Sequence, residues 1–342
     1  MRQVLKSLIL SACVVLTTAF VSAADAKPSV GPFKVVNKFA LEGEGRWDYL
    51  VVDNDSRRLF VSRSTHVAVL DADSGAELGD IPNTPGVHGV ALASDLGVGF
   101  VSDGGENKVT IFDLKSLEVL GKIDTGGNPD SIVYHPDTKM LFVQNGKTNS
   151  STVIDAANRK VVATIPMPGR PEFTVYDDKG NLYINIEDKS SLVQVDIAGK
   201  QVKATWPLAG CEEPTGLAID REGRTLFSAC ANKVLAVVNA DTGKVTQTVP
   251  IGDDCDAVAF DPETGYVFAS AGDGTLSILH KSGSGKYAVV QNLVSPVGSK
   301  TMAFDAAKHQ VYLPSAKFTG DPTAHPRPSV VPGSAAVLVI GK

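Results

Sequence analysis

Aromatic side chains are scarce in this chain: tryptophan, tyrosine and phenylalanine make up 6% of its 342 residues, and only two are tryptophan. Cysteine numbers four. That is too few for a disulfide-built scaffold, and the absence of a C-x-x-C-H run argues against covalently attached c-type haem. No G-x-S-x-G nucleophile elbow occurs, and "KSGSGK" (281–286) lacks both the Walker spacing and a following helix. Basic side chains are outnumbered, 32 Lys and Arg against 38 Asp and Glu. A surplus of negative charge argues against nucleic acid as a partner, because phosphate binding rests on counterion release by cations.

Long apolar runs are also missing, except at the start. There "MRQVLKSLILSACVVLTTAFVSAADA" has a basic beginning (Arg2, Lys6), an apolar stretch from Ser7 to Val21 and small residues before Ala24. This predicts a secretory signal peptide over 1–23, cleaved near Ala23 and Ala24, then a short linker, 24–30. The run is short for a membrane span, so no transmembrane segment is expected in the mature chain, which is placed in the periplasm or secreted. A lipoprotein reading of "LSAC" (10–13), lipidated at Cys13, would strand the apolar Val14–Val21 on the mature protein and is set aside. Cleavage removes two positive charges and leaves 30 basic against 38 acidic residues, a net charge of −8. Three cysteines remain, Cys211, Cys230 and Cys255, of which an oxidising compartment permits one pair. Cys211 with Cys230 is the first expectation and Cys230 with Cys255 the next; the alternative is three buried thiols.

What the chain does have is repetition, with 32 glycines and 19 prolines punctuating it. "YLVVDNDSRRLFVS" (49–62) recurs as "GVALASDLGVGFVS" (89–102), "SIVYHPDTKMLFVQ" (131–144) and "FTVYDDKGNLYIN" (173–185). It returns as "GLAIDREGRTLFSA" (216–229), "AVAFDPETGYVFAS" (257–270) and "TMAFDAAKHQVYLP" (301–314). With Asp53 as marker, equivalents fall at Ala93, His135, Asp177, Asp220, Asp261 and Asp305, at intervals of 40 to 44 residues. Each copy reads as strand, polar turn, strand, then a third strand such as "VTIFD" (109–113) and a fourth, more polar one. Four short strands per 40–45 residues define a propeller blade. The last copy lacks its fourth strand, while "FKVVNKFAL" (33–41) precedes the first copy unassigned. The fold class predicted is all-β, a seven-bladed β-propeller over 31–342 whose last blade is closed by the N-terminal strand, leaving no long open edge.

The first strand of a blade lines the central channel. Five residues before each marker, at that strand's entrance, stand Asp48, His88, Asp130, Glu172, Thr215, Asp256 and Lys300. All are polar. They predict a ring at the channel mouth, with His325 added by the inserted segment 316–334 between the second and third strands of the last blade. Neighbouring loops bring more acids, among them Asp103, Glu106, Glu187, Asp188, Glu212, Glu213, Asp253, Asp254 and Asp273. Crowded carboxylates attract cations. His88 with Asp130, Glu172 and Asp256 suits a hard or borderline divalent ion, the one cofactor to which the residues point. The competing reading is that polar residues at a strand entrance only cap backbone groups. His66 and His280 read as surface residues, and His135 and His309 as parts of the repeated turn on the opposite face.

The phrases "LFVQN" (141–145), "LYIN" (182–185), "GFVSD" (99–103), "TPGVHGVAL", "GRPEFTVY" and "CEEPTGLAID" resemble the YVTN-repeat β-propellers, in particular the YncE-like exported group. No copy here spells YVTN. The resemblance implies an exported binding or scaffold protein and supplies no catalytic residue. Related seven-bladed propellers include lactonases and lyases, which is analogy of fold only. Two tryptophans are too few for a tryptophan-docked quinoprotein propeller. Three expectations follow. The first is a binding protein with an acidic mouth for a small molecule, a cation or another envelope protein. The second is a metal-assisted, lactonase-like hydrolase or lyase using that mouth. The third is a pure interaction scaffold.

Overall fold

Runs of valine, isoleucine and small residues, broken by Asp, Asn and Gly, turn each repeat into four strands. The computed structural model describes residues 32–43, 45–322, 324 and 328–342; the expected signal peptide, the linker and His325 lie outside the described residues. Seven four-stranded antiparallel sheets form a seven-bladed β-propeller. In the third blade the strands are, from the inside outwards, Pro129–His135, Met140–Asn145, Ser150–Asp155 and Lys160–Pro166. The two middle strands are buried almost throughout because blades cover both their faces. The outer strand is mostly exposed.

Inner strands crowd towards the axis and need small residues there. A Cβ on Gly216 would lie 2.8 Å from the Cα of Ala257, and one on Gly89 would lie 2.9 Å from a methyl of Ile132. The turns between third and outer strands use their acid or amide locally. Asp71 accepts from the backbone N–H of Ser74 at 2.7 Å, and Asn239 from that of Thr242 at 2.9 Å. Gly75 and Gly243 then take positive φ, at 75° and 69°. A side chain on Gly243 would collide with Trp206, so this tryptophan is a packing residue.

Buried polar latches tie blade to blade on the face opposite the predicted ring. The Tyr183 hydroxyl donates to Asp177 at 2.8 Å and to the Ala240 carbonyl at 3.0 Å, and Arg224 donates to Asp177 at 2.8 Å. The same arrangement joins the last blade to the first: Tyr312 donates to the Ala72 carbonyl and Asp305, while Arg57 holds Asp305 at 2.6 Å. His309 meets Asp261 at 2.9 Å at the corresponding place between sixth and seventh blades.

The circle closes as expected from the chain's two ends. Strand Lys34–Ala40 pairs along Ala336–Gly341 as the outermost strand of the blade that begins with Ala303–Asp305. The Phe33 N–H donates to the Gln291 side-chain oxygen and its carbonyl accepts from the Gln291 side-chain NH₂, and Phe39 shares a core with Leu50, Leu59 and Tyr312. Among the described residues, no helix is long and apolar enough to cross a membrane.

One latch gives a pH test. Burial would raise the Asp177 carboxyl, but hydrogen bonds from Asn181, Tyr183 and Arg224 hold it down at about 2. Its contribution is therefore present above the ordinary carboxylate pKa and lost as pH falls through about 2. Asp177→Asn is expected to cost about 2 kcal/mol at pH 7. In urea titrations of both proteins this difference should shrink steadily from pH 5 towards pH 2; a difference independent of pH would contradict the charged latch.

Candidate functional site

The ring residues owe their position to backbone irregularity. His88, Asp130, Glu172, Thr215 and Asp256 are each the second residue of an inner strand. In all five blades the pairing register shifts just there, between Val87 and Val90 in the second blade and between Pro129 and Ile132 in the third. Such a bulge re-aims a side chain at the rim of a sheet. Asp48 and Lys300 precede the inner strands of the first and last blades. Neighbouring blades then pin several ring backbones. Ser102 donates to the Asp130 carbonyl at 2.5 Å, Asn185 to that of Thr215 at 2.9 Å and Ser270 to that of Lys300 at 2.7 Å. The segment carrying Asp48 is held by Arg63, which is wholly buried and donates to the carbonyls of Glu42, Gly43 and Gly45.

Around the mouth the ring divides into groups. His88 Nδ1 lies 2.6 Å from Asp48 Oδ2 and 3.8 Å from Asp130 Oδ1. Its other nitrogen faces Gly104, where a Cβ would stand 2.7 Å from it. On another side Asp256 meets the Lys300 ammonium at 3.2 Å, and Asp254 meets it at 3.3 Å. Glu172 lies 3.7 Å from Arg170 Nε, and Arg170 also pairs with Glu187. Thr215 donates its hydroxyl to the Cys255 carbonyl at 2.7 Å and so serves the backbone.

Several of the loop acids are similarly occupied. Asp188 caps the Arg170 N–H, and Asp273 accepts from the N–H groups of Asp253 and Thr275. Asp103 is buried against Thr110 and Lys122.

The protonation pattern follows from burial and like charge. Burial raises the Glu172 carboxyl, the Asp130 charge adds to it and a hydrogen bond to Glu187 completes the rise to about 10. Asp130 is pushed up to about 7 by burial, against the opposing pull of His88. Burial also lifts the Asp256 carboxyl, and Lys300 offsets part of that. For His88, burial favours the neutral imidazole, but the Asp48 hydrogen bond and the charges of Asp130 and Asp48 win and push it up to about 9. The phenol of Tyr49 rises well above its usual value through burial and through the fields of Asp130, Glu172, Asp48 and Asp256.

Among the described residues, the one set of three metal-capable side chains with donor atoms all within 4.8 Å is Asp48, His88 and Asp130. Glu172 and Asp256 stand outside it. Beside this set a cavity of about 400 Å³ opens between the first, sixth and last blades, bounded by Asp48, Asp256, Lys300, Trp47 and Phe318. The sequence reading missed Tyr49, Trp47 and Phe318. A signal existed for two of them: "RWDYL" (46–50) sets two aromatic residues around Asp48 in a chain otherwise poor in them. Cys211 and Cys230 are joined by a disulfide, with Cα atoms 5.3 Å apart, and Cys255 is a buried free thiol.

No family model matches the chain, and no curated protein matches it in sequence. Among solved structures, hydrazine synthase of Kuenenia stuttgartiensis is similar with a TM-score of 0.68 at 17% identity, covering 80% of this chain and 94% of that one. The WD40 repeats of RRP9 give a TM-score of 0.73 at 12% identity, covering 89% and 97%. At these identities the likeness is one of fold. It agrees with the seven four-stranded sheets in placing the chain among seven-bladed propellers, and it says nothing of role.

The histidine offers a direct test. In chelator-treated protein, His88 should remain doubly protonated at pH 7.5 and titrate near pH 9 by ¹⁵N NMR. The stability it brings is complete below the ordinary imidazole pKa and is lost as pH rises through about 9. Titration near pH 6 would show that Asp48 and Asp130 do not hold its proton.

Proposed function

We propose that the protein is an exported binding protein whose channel mouth holds a divalent cation on Asp48, His88 and Asp130. The observation that carries this reading is the convergence of one imidazole nitrogen and two carboxylate oxygens from three successive blades. Ligands at about 2.1 Å from an ion lie about 3 Å apart, so the 2.6 and 3.8 Å separations need only small adjustments. Asp130 Oδ1 is buried without a hydrogen-bond partner, as a ligand atom awaiting an ion would be. A nitrogen with two hard oxygens favours a first-row transition ion such as Mn²⁺ or Zn²⁺ over Ca²⁺. Export is supported by the N-terminal apolar stretch and by the Cys211–Cys230 disulfide, which belongs in an oxidising compartment. The YncE-like, YVTN-repeat assignment rests on the repeat phrases alone.

Calorimetry on tag-free protein should give one equivalent of Mn²⁺ or Zn²⁺. His88→Ala combined with Asp130→Asn should weaken it at least about a hundredfold. An affinity unchanged in that double variant, or no uptake of any divalent ion, would sink the proposal.

A second reading, a metal-assisted hydrolase or lyase, draws on one observation. Burial and the neighbouring Asp130 charge keep a proton on the Glu172 carboxyl at neutral pH, so that it has one to donate. Among the described residues no thiol competes for the role of nucleophile, since burial pushes the Cys255 thiol far up. Metal-dependent opening of γ- or δ-lactones that disappears in Glu172→Gln would favour this reading; the binding protein should show none.

A further inference from the structure

The cavity beside the ring has walls of two kinds. Trp47 and Phe318 form an aromatic pair, with ring centroids 6.0 Å apart. Trp47 lies just before the first blade's inner strand, and Phe318 comes from the insert of the last blade, which folds back on itself through the bridge between Phe318 and Val330. Opposite them are aspartates. Five aspartates line the cavity against Arg46 and Lys300, and two cations behind the walls, His88 on Asp48 at 2.6 Å and Lys233 on Asp253 at 3.0 Å, leave a formal charge of −1. Lys300 shows what this wall accepts: its ammonium sits 3.3 Å from Asp254 and 3.2 Å from Asp256.

One further side chain is unaccounted for. Thr301 also lines the cavity, is only 3% exposed, and its hydroxyl has no hydrogen-bond partner. A buried hydroxyl left unpaired costs free energy that a ligand can recover. At about 400 Å³ the space suits a small organic molecule and far exceeds what a bare ion fills.

We propose that this cavity binds a small organic amine: an ammonium group drawn to the Asp254 and Asp256 wall and to the Thr301 hydroxyl, with an apolar, ring-sized body against Trp47 and Phe318. The two walls divide the work. Net negative charge selects a cation over a neutral or anionic compound of the same shape. The aromatic pair adds apolar area and an attraction for positive charge at the ring faces, which a small hydrated ion cannot exploit. The site is separate from the imidazole-centred one. Asp48 borders both, but Trp47, Phe318, Thr301 and Asp254 belong to the cavity alone.

The test uses the mature full-length chain treated with chelator, so that loss of divalent-ion binding at His88 does not bear on it. Phenethylamine, 2-phenylethanol and 3-phenylpropionate are compared by calorimetry, with tryptophan fluorescence as a second readout, since Trp47 lies in the wall and Trp206 is packed elsewhere against Tyr183. One equivalent of phenethylamine should bind at least about tenfold more tightly than the alcohol. The carboxylate should bind more weakly still. Phe318→Ala should weaken the amine about tenfold, and Asp254→Asn about threefold. Thr301→Val should weaken it while leaving the melting temperature unchanged or higher, because the variant deletes an unpaired hydroxyl. The proposal is overturned if amine and alcohol bind equally, if the amine does not bind at 10 mM, or if its binding persists undiminished in the Phe318→Ala, Asp254→Asn double variant.

Discussion

Six residue pairs between Lys34–Ala40 and Ala336–Gly341 hold the circle shut, and everything at the channel mouth depends on that seam. The segment leaving the N-terminal strand runs directly into Asp48, guided by the three carbonyls that Arg63 binds. Were the strand unseated, Asp48 would lose its place beside His88, and Trp47 its place beside Phe318. A contact between the chain's two ends thus positions residues for both candidate sites. The Arg57, Tyr312 and Asp305 latch reinforces the same junction on the opposite face.

The mouth gathers charge of one sign that would repel itself in a flexible chain. Here three cations divide the task of holding it: His88 between Asp48 and Asp130, Arg170 against Glu187, and Lys300 between Asp254 and Asp256. Burial keeps a proton on Glu172, which removes one charge from the ring altogether. The proposed cation site rests on this arrangement: carboxylates are partly desolvated and close together, so that a bound cation would relieve their repulsion. A ring designed only to cap strand ends would not need buried carboxylates. Thr215, which caps a neighbouring carbonyl, shows what that alternative looks like.

Much of the architecture was legible in the sequence. The 40–44-residue interval, the missing last strand and the spare first one give the number of blades and the closure, and the seven polar positions do lie at the inner-strand entrances. What periodicity could not supply is the direction of each side chain. The register shifts at His88, Asp130 and Glu172 break the two-residue alternation on which such a reading rests. That is why periodicity does not single out Asp48, the ring carboxylate nearest the imidazole, from Glu172 and Asp256, which face other partners. The cavity was hidden for a related reason, because Trp47 and Phe318 are 271 positions apart in the chain and neither belongs to a repeat. Lastly, whether cysteines pair depends on distances that spacing alone does not give, and in the structure the pair formed is Cys211 with Cys230.

The central claim is that one imidazole and two carboxylates from three blades share a single ion. Pulsed electron paramagnetic resonance of one equivalent of Mn²⁺, added to protein labelled with ¹⁵N only at histidine, examines that coordination sphere directly. The account predicts coupling to one ¹⁵N nucleus, lost in His88→Ala. A spectrum showing water protons alone, with no nitrogen coupling, would mean that the ion sits elsewhere on an acidic surface and that the ring is only a structural rim.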